Sequence, residues 1–204
     1  MKNIFFIRHT ESEANLKNIL ASQLNFPLTK NGKQHALEIG INLKKIAVID
    51  RIISSPLLRA KQTAQLIAES YGLNVESDSR LIEQNIGIFS GMTYSEINNR
   101  DDYMHDRSKR WLWIPENGES YCMIAERLKS FFQSINSMTE DNILFVTHAV
   151  TMRLIWAHLE KTLPNYPHQL AENGEVWKIN WIDSQSTHKV EKLFFNKTIE
   201  IQTK

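Results

Sequence analysis

A single cysteine, Cys122, stands in a chain of 204 residues, which excludes an internal disulfide framework and a thiolate-rich metal site. An excess of charge of one sign is missing too. The chain carries 24 Lys and Arg against 23 Asp and Glu, so no global field selects nucleic acid or an anionic membrane, and any basic function must be local. No apolar run approaches the roughly 20 residues that span a bilayer, and the N-terminus lacks the apolar core and cleavage site of a signal peptide. These absences give the expectation of a cytoplasmic protein with neither a membrane nor a nucleic-acid partner. No internal repeat, low-complexity segment or linker rich in Pro, Gly or Ser interrupts the chain. A hydrophobic content of 42% suffices for one sizeable core, so residues 1–204 are expected to form a single domain.

What is present begins with short apolar runs. Residues 3–7 (NIFFI), 48–53 (VIDRII) and 143–146 (ILFV) are rich in β-branched and aromatic residues and mostly lack polar alternation. They read as strands buried on both faces, which points to a parallel sheet. Each is followed by a helical pattern. From Thr29 to Ile46 the stripe is Ala36, Ile39, Leu43 and Ile46. After the second run Ser55 and Pro56 look like an N-cap and first helical residue, followed by Leu57, Ala60, Ala64, Ile67 and Tyr71. The third run feeds a helix over 149–159. Residues 175–182 alternate, with Trp177, Ile179 and Trp181 on one face, and with KVEKLFF (189–195) they predict a closing pair of strands. The fold class is therefore α/β: a three-layer α/β/α sandwich with a mostly parallel central sheet and helices on both faces. Cys122 lies in SYCMIAERLKSFF beside the stripe Ile124, Leu128, Phe131 and Ile135, and reads as a buried core thiol rather than a nucleophile.

Open α/β sheets bind ligands beyond the carboxyl ends of their strands, where the N-termini of the following helices point outward. Three strand exits carry unusual side chains: Arg8 and His9 after the first, Arg59 in the helix after the second, and Thr147 and His148 after the third. Two histidines and two arginines converging on one edge make a phosphate site by composition. Neutral imidazole is a nucleophile near neutral pH, and arginine's planar fork binds two phosphate oxygens at once. Singly, Arg8 or Arg59 is a surface ion-pair partner, His148 a half-buried histidine and Glu83 a solvated loop charge. Their joint spacing favours the catalytic reading. No HxH, HExxH or carboxylate-histidine spacing supports a metal site at His9 and His148.

FFIRHTESEAN (5–15) resembles the RHGE(T/S)xxN signature of the histidine phosphatase superfamily, also called the phosphoglycerate mutase-like family. SSPLLRAKQTA (54–64), LIEQNIGIFSG (81–91), NGES (117–120) and FVTHA (145–149) resemble its second-arginine, acid, helix-start and second-histidine motifs, and ENG (172–174) a late turn. The resemblance implies a phosphoglycerate mutase-like fold with His9 as the nucleophile that becomes phosphohistidine. It implies that Arg8, Arg59 and His148 bind phosphoryl oxygens, with Asn15 helping through its amide, and that Glu83 protonates the leaving group and then activates water. Neither metal nor other cofactor is implied, and the expected partner is a small phosphorylated metabolite. Thr10 and Ala149 stand where the family commonly has glycine: the Thr10 hydroxyl is a candidate donor to the phosphate, and the Ala149 backbone N–H serves as well as a glycine's. Asn25 stands where aspartate is frequent.

Between the acid motif and the second histidine, YMHDRSKRWLWI (103–114) combines aromatics with Arg107, Lys109 and Arg110. Two readings stand. One is a lid, with Trp111 and Trp113 against the leaving group and the basic residues engaging a second anion. The other is an inserted helix packing its own aromatics. Three functions follow in order: a metal-independent phosphomonoesterase, a cofactor-dependent phosphoglycerate mutase, and a noncatalytic phosphate-ester-binding protein. Mutases of that type resemble this chain in the core but carry a longer insertion and a longer C-terminal tail, so hydrolysis is expected. A binding protein needs neither nucleophile nor acid.

Overall fold

A computed structural model of the chain describes residues 2–195. Six strands, β1 (Lys2–Arg8), β2 (Arg51–Ser54), β3 (Val75–Ser77), β4 (Asn142–Thr147), β5 (Val176–Trp181) and β6 (Val190–Leu193), form one sheet in the order β3-β2-β4-β1-β5-β6. Strands β3, β2, β4 and β1 run parallel, and β5 and β6 extend the sheet by antiparallel pairing. Helices α1 (Glu13–Leu16), α2 (Lys30–Ile46), α3 (Leu58–Tyr71), α4 (Tyr94–Asn98), α5 (Tyr121–Ile135) and α6 (Ala149–Leu159) complete the architecture.

The unbroken apolar run of β1 has a simple cause. Ile4 and Phe6 pack with Phe145 against Leu128 and Phe131 of α5 and Ile155 of α6. Phe5 and Ile7 pack on the other face against Ile39 and Leu43 of α2 and Ala64 and Ile67 of α3. Both faces are covered by helices, as the three-layer sandwich requires. Each of these large side chains is essentially inaccessible, and burial of one such group contributes roughly 1.5–3 kcal/mol relative to exposure.

Several local expectations are corrected. Strand β2 begins at Arg51 rather than at residue 48: Val48 is exposed, and the Asp50 carboxylate accepts from the Asn142 backbone N–H at 2.9 Å. The buried stripe of α2 ends at Leu43 and leaves Ile46, the last helical residue, in solvent. Helix α3 starts at Leu58, not Pro56, because Ser55 Oγ accepts from the Leu57 N–H at 3.3 Å in a turn that precedes the helix. Cys122 is half-buried, since it sits about 100° round the helix from the buried Tyr121. The 103–114 segment holds no α-helix, only a short 3-10 turn at Arg107–Lys109.

The parallel pairing sets up the site. Arg8 pairs with Thr147 and Ser54 with Val146, so the residues immediately following β1, β2 and β4 emerge side by side at one sheet edge. Among the described residues no helix is long and apolar enough to cross a membrane.

Candidate active site

His9 continues the β1–β4 ladder through its N–H to the Thr147 carbonyl at 2.9 Å. Its ring is 4% exposed and its centroid lies 5.2 Å from that of His148. Nδ1 sits 2.8 Å from the Thr10 carbonyl oxygen. A carbonyl only accepts, so Nδ1 carries the proton and Nε2 keeps its lone pair. That lone pair accepts from Nε of Arg59 at 3.2 Å. Burial first, then the charges of Arg59 and Arg8, push the His9 pKa well below the usual histidine value. The imidazole is neutral at physiological pH.

Arg59 enters from the first turn of α3 and is itself buried. Nη1 donates to the Leu24 carbonyl at 2.9 Å and Nη2 to that of Ser22 at 2.7 Å, which fixes the guanidinium plane. Burial lowers its pKa to about 10, partly offset by the Glu83 carboxylate. Arg8 donates from Nη1 to the Ala171 carbonyl at 2.8 Å, while its buried Nε has no partner among the described residues. Burial lowers its pKa as well.

His148 occupies the N-cap position of α6 and is completely buried. Its Nε2 lies 2.7 Å from Ser55 Oγ, and its Nδ1 has no partner among the described residues. Burial, then the charges of Arg59, His9 and Arg8, hold its pKa well below the usual value. Glu83 reaches the same helix end: Oε1 accepts from the N–H of Gln84 at 2.9 Å and of Thr151 at 3.2 Å, and Oε2 from that of Val150 at 3.2 Å. The Ala149 N–H, next to these, has no partner among the described residues. Asn15 spends its Oδ1 on the N–H and hydroxyl of Ser12, at 3.0 and 2.8 Å, which leaves its amide NH2 unpaired among the described residues.

Arg8, His9, Asn15, Arg59, Glu83 and Ala149 thus share one cavity of about 360 Å³, with His148 packed beside His9. Thr10 is the exception. It is fully buried, its hydroxyl 3.3 Å from Thr63 Oγ1, and it does not line the cavity, so the expected Thr10 donor to the ligand is corrected to an internal hydrogen bond.

The 103–114 segment divides between its two readings. Trp113 packs on Phe89 and Tyr103 at centroid distances of 6.1 and 5.4 Å, and Trp111 on the main core. Neither tryptophan reaches the cavity, whereas Tyr103, Arg107 and Arg110 line it. Three participants went unrecognised in the sequence: Ser55, Arg153 and Asn173. Asn173 donates from Nδ2 to the His9 carbonyl at 2.9 Å and to Asn15 Oδ1 at 3.3 Å. Arg153 had a usable signal, its helical spacing from Ala149. Among the described residues no group of three or more His, Cys, Asp or Glu is placed to hold a metal ion.

A family model described as histidine phosphatase superfamily (branch 1) matches residues 4–193. The chain belongs to the histidine phosphatase superfamily. Phosphoserine phosphatase 1 of Hydrogenobacter thermophilus is 32% identical over 165 residues, 78% of this chain and 76% of that protein. The probable phosphoglycerate mutase GpmB of Escherichia coli is 30% identical over 158 residues, 74% of this chain and 72% of that protein. A mycobacterial glucosyl-3-phosphoglycerate phosphatase solved with VO3 superimposes with a TM-score of 0.84 at 23% identity, covering 94% of this chain and 98% of that one. YhfR of Bacillus stearothermophilus gives 0.81 at 26% identity, covering 93% and 95%. This member of the superfamily therefore has the phosphoglycerate mutase-like fold expected from its motifs, and it is a phosphatase enzyme by family.

Proposed function

We propose that the protein is a metal-independent phosphomonoesterase that hydrolyses a small phosphorylated metabolite in the cytoplasm through a phosphohistidine on His9, with residues 1–204 acting as one catalytic domain. The observation that carries this reading is the His9 tautomer: a neutral ring, protonated at Nδ1 against the Thr10 carbonyl, that lines a cavity with Arg8 and Arg59 and whose Nε2 lone pair turns from the Arg59 N–H to phosphorus when substrate binds. In the first step Nε2 attacks phosphorus, a P–N bond forms and the P–O bond to the alcohol breaks, while Glu83 as a carboxylic acid passes its proton to the departing oxygen. In the second step the Glu83 carboxylate takes a proton from water, the resulting hydroxide equivalent attacks phosphorus, and the P–N bond returns its electrons to Nε2. Arg8, Arg59, the Asn15 amide and the Ala149 N–H meet the charge on the phosphoryl oxygens, and His148 adds a donor from the side. Removal of one such preorganised donor costs ~10²–10³ in rate.

The relatives named as phosphatases support hydrolysis, and the probable mutase among them favours isomerisation of a phosphorylated sugar acid as the second reading. One experiment separates them. Protein exposed briefly to a labelled phosphate ester and quenched in base is expected to carry acid-labile label, absent in His9→Ala, and to release inorganic phosphate with chelator present. Label retained in His9→Ala dismisses the nucleophile; isomerised product without phosphate release installs the mutase.

A further inference from the structure

Arg59 and Glu83 reach one cavity from different parts of the chain, and a single loop between α1 and α2 touches both. The Ser22 and Leu24 carbonyls accept from Nη2 and Nη1 of Arg59 at 2.7 and 2.9 Å. On its other side the loop meets the segment that carries Glu83. The Gln23 amide donates to the Glu83 carbonyl at 2.9 Å, and the Ser22 hydroxyl donates to the Gln84 carbonyl at 3.0 Å while accepting the Ile86 N–H at 3.1 Å. Ser22 therefore has its backbone on the phosphate clamp and its side chain on the acid loop. Ser22, Gln84 and Ile86 are all buried, and removing the hydroxyl leaves a carbonyl and an N–H without that partner. The backbone holds this placement against a local cost. Ser22 has φ 49°, a left-handed conformation that residues with a β-carbon rarely adopt and glycine adopts freely. What serine adds over glycine here is the hydroxyl. The far side of the acid loop is held by Arg127 of α5, which donates to the Arg80 and Ile82 carbonyls and pairs with Glu119. None of those bonds runs to Arg59.

We propose that Ser22 is a positioning residue for phosphoryl transfer: its hydroxyl ties the acid loop to the Arg59 clamp, so that the Glu83 carboxyl meets the leaving oxygen of an ester whose phosphoryl group Arg59 holds. This rests on the phosphomonoesterase reading of the cavity, with Glu83 as proton donor. Phosphoryl binding runs through Arg59 and the Ser22 carbonyl, which survive removal of the hydroxyl. Proton delivery runs through residues 83–86, which lose two of their anchors. A displacement of about 1 Å in a positioned group costs up to ~10²-fold in rate. That cost falls on esters whose alcohol departs only with a proton, and an aryl ester escapes it.

The test follows phosphoenzyme formation by rapid quench in full-length wild type, Ser22→Gly, Ser22→Ala and Glu83→Gln, with p-nitrophenyl phosphate as the aryl ester and the faster of glycerol 3-phosphate and phosphoserine as the alkyl ester. Urea denaturation is measured on each. Alanine keeps the left-handed strain and glycine relieves it, so Ser22→Gly is expected to be the more stable of the two, although both lack the hydroxyl. Both are expected to slow the alkyl ester by roughly 10-fold or more and the aryl ester by less than about threefold, with the alkyl concentration dependence unchanged. The ratio of the two esters is insensitive to the folded fraction. An unchanged ratio in both Ser22 variants, with Glu83→Gln still sparing the aryl ester, overturns the Ser22 role and leaves the hydrolytic reading standing. A loss in Ser22→Ala that Ser22→Gly restores traces to strain and likewise overturns it. If Glu83→Gln slows both esters alike, or wild type forms phosphoenzyme from the aryl ester only, Glu83 is not the proton donor and the Ser22 role falls with that reading.

Discussion

Nε of Arg59 faces Nε2 of His9 across 3.2 Å. A guanidinium only donates, so this contact both requires the free lone pair on the imidazole and keeps a proton from settling there. The other guanidinium nitrogens are tied to the Ser22 and Leu24 carbonyls, so the guanidinium is held in place before any substrate arrives. Arg59→Lys keeps the charge and loses the fork. Phosphoenzyme formation, followed by rapid quench, is expected to slow by ~10²–10³; a change under threefold would show that positive charge alone suffices at this position.

Ser55 and His148 form a second such pair. Ser55 Oγ accepts from the Leu57 N–H and lies 2.7 Å from His148 Nε2; for His148 to donate from Nδ1 to the phosphoryl group as proposed, its neutral ring takes the hydroxyl hydrogen at Nε2. Nitrogen-15 spectra are expected to show a neutral, Nδ1-protonated His148. Ser55→Ala strands a buried ring nitrogen and should lower stability by about 1–3 kcal/mol in urea denaturation. An Nε2-protonated ring in the wild type would contradict the assignment.

Leaving-group dependence tests Glu83. Its carboxylate is oriented by the N–H groups of Gln84, Val150 and Thr151, and glutamine preserves the shape while removing the transferable proton. Hydrolysis of alkyl phosphates by Glu83→Gln is expected to slow by roughly 10²–10⁴, with aryl phosphates, whose alcohols leave readily, largely spared. Equal slowing of both classes would mean that Glu83 is not the proton donor.

The buried histidines make stability pH-dependent. His9 and His148 are held well below the usual value of 6.5, by burial first, so below that pH the unfolded chain binds more protons than the native one. Stability is therefore complete above about pH 6.5 and is lost as pH falls toward the native-state values. Melting temperature measured from pH 8 to 5 should decline on the acid side, and less steeply in His9→Asn. His158, which burial lowers to about 4, keeps contributing in that variant. A flat profile in the wild type would show that both rings are protonated without cost.

Much of this was readable in the sequence because it depends on local pattern. The apolar run of β1, the span of α6 and the closing strand pair β5 and β6 follow from side chains meeting neighbours at fixed spacing. The placements that differed depend on tertiary partners. Ser55 looks like a helix cap until the His148 ring takes its hydroxyl. Thr10 looks like a phosphate donor until Thr63 arrives from α3. Nothing within YMHDRSKRWLWI says that the two tryptophans turn inward to Phe89 and the core while the arginines turn to the cavity; that choice is made by surfaces distant in sequence. Asn173 was legible only as part of a turn, and its acceptors lie more than 150 positions upstream.

That last contact has a consequence for how the enzyme comes into being. The main chain at His9 is clamped by a side chain 164 positions later in the sequence. A nascent polypeptide that has completed four parallel strands but not yet docked its closing ribbon holds the reactive ring without its final brace. The brace on the residue 9 carbonyl is thus a long-range contact, made only when the turn ahead of β5 docks against the end of β1.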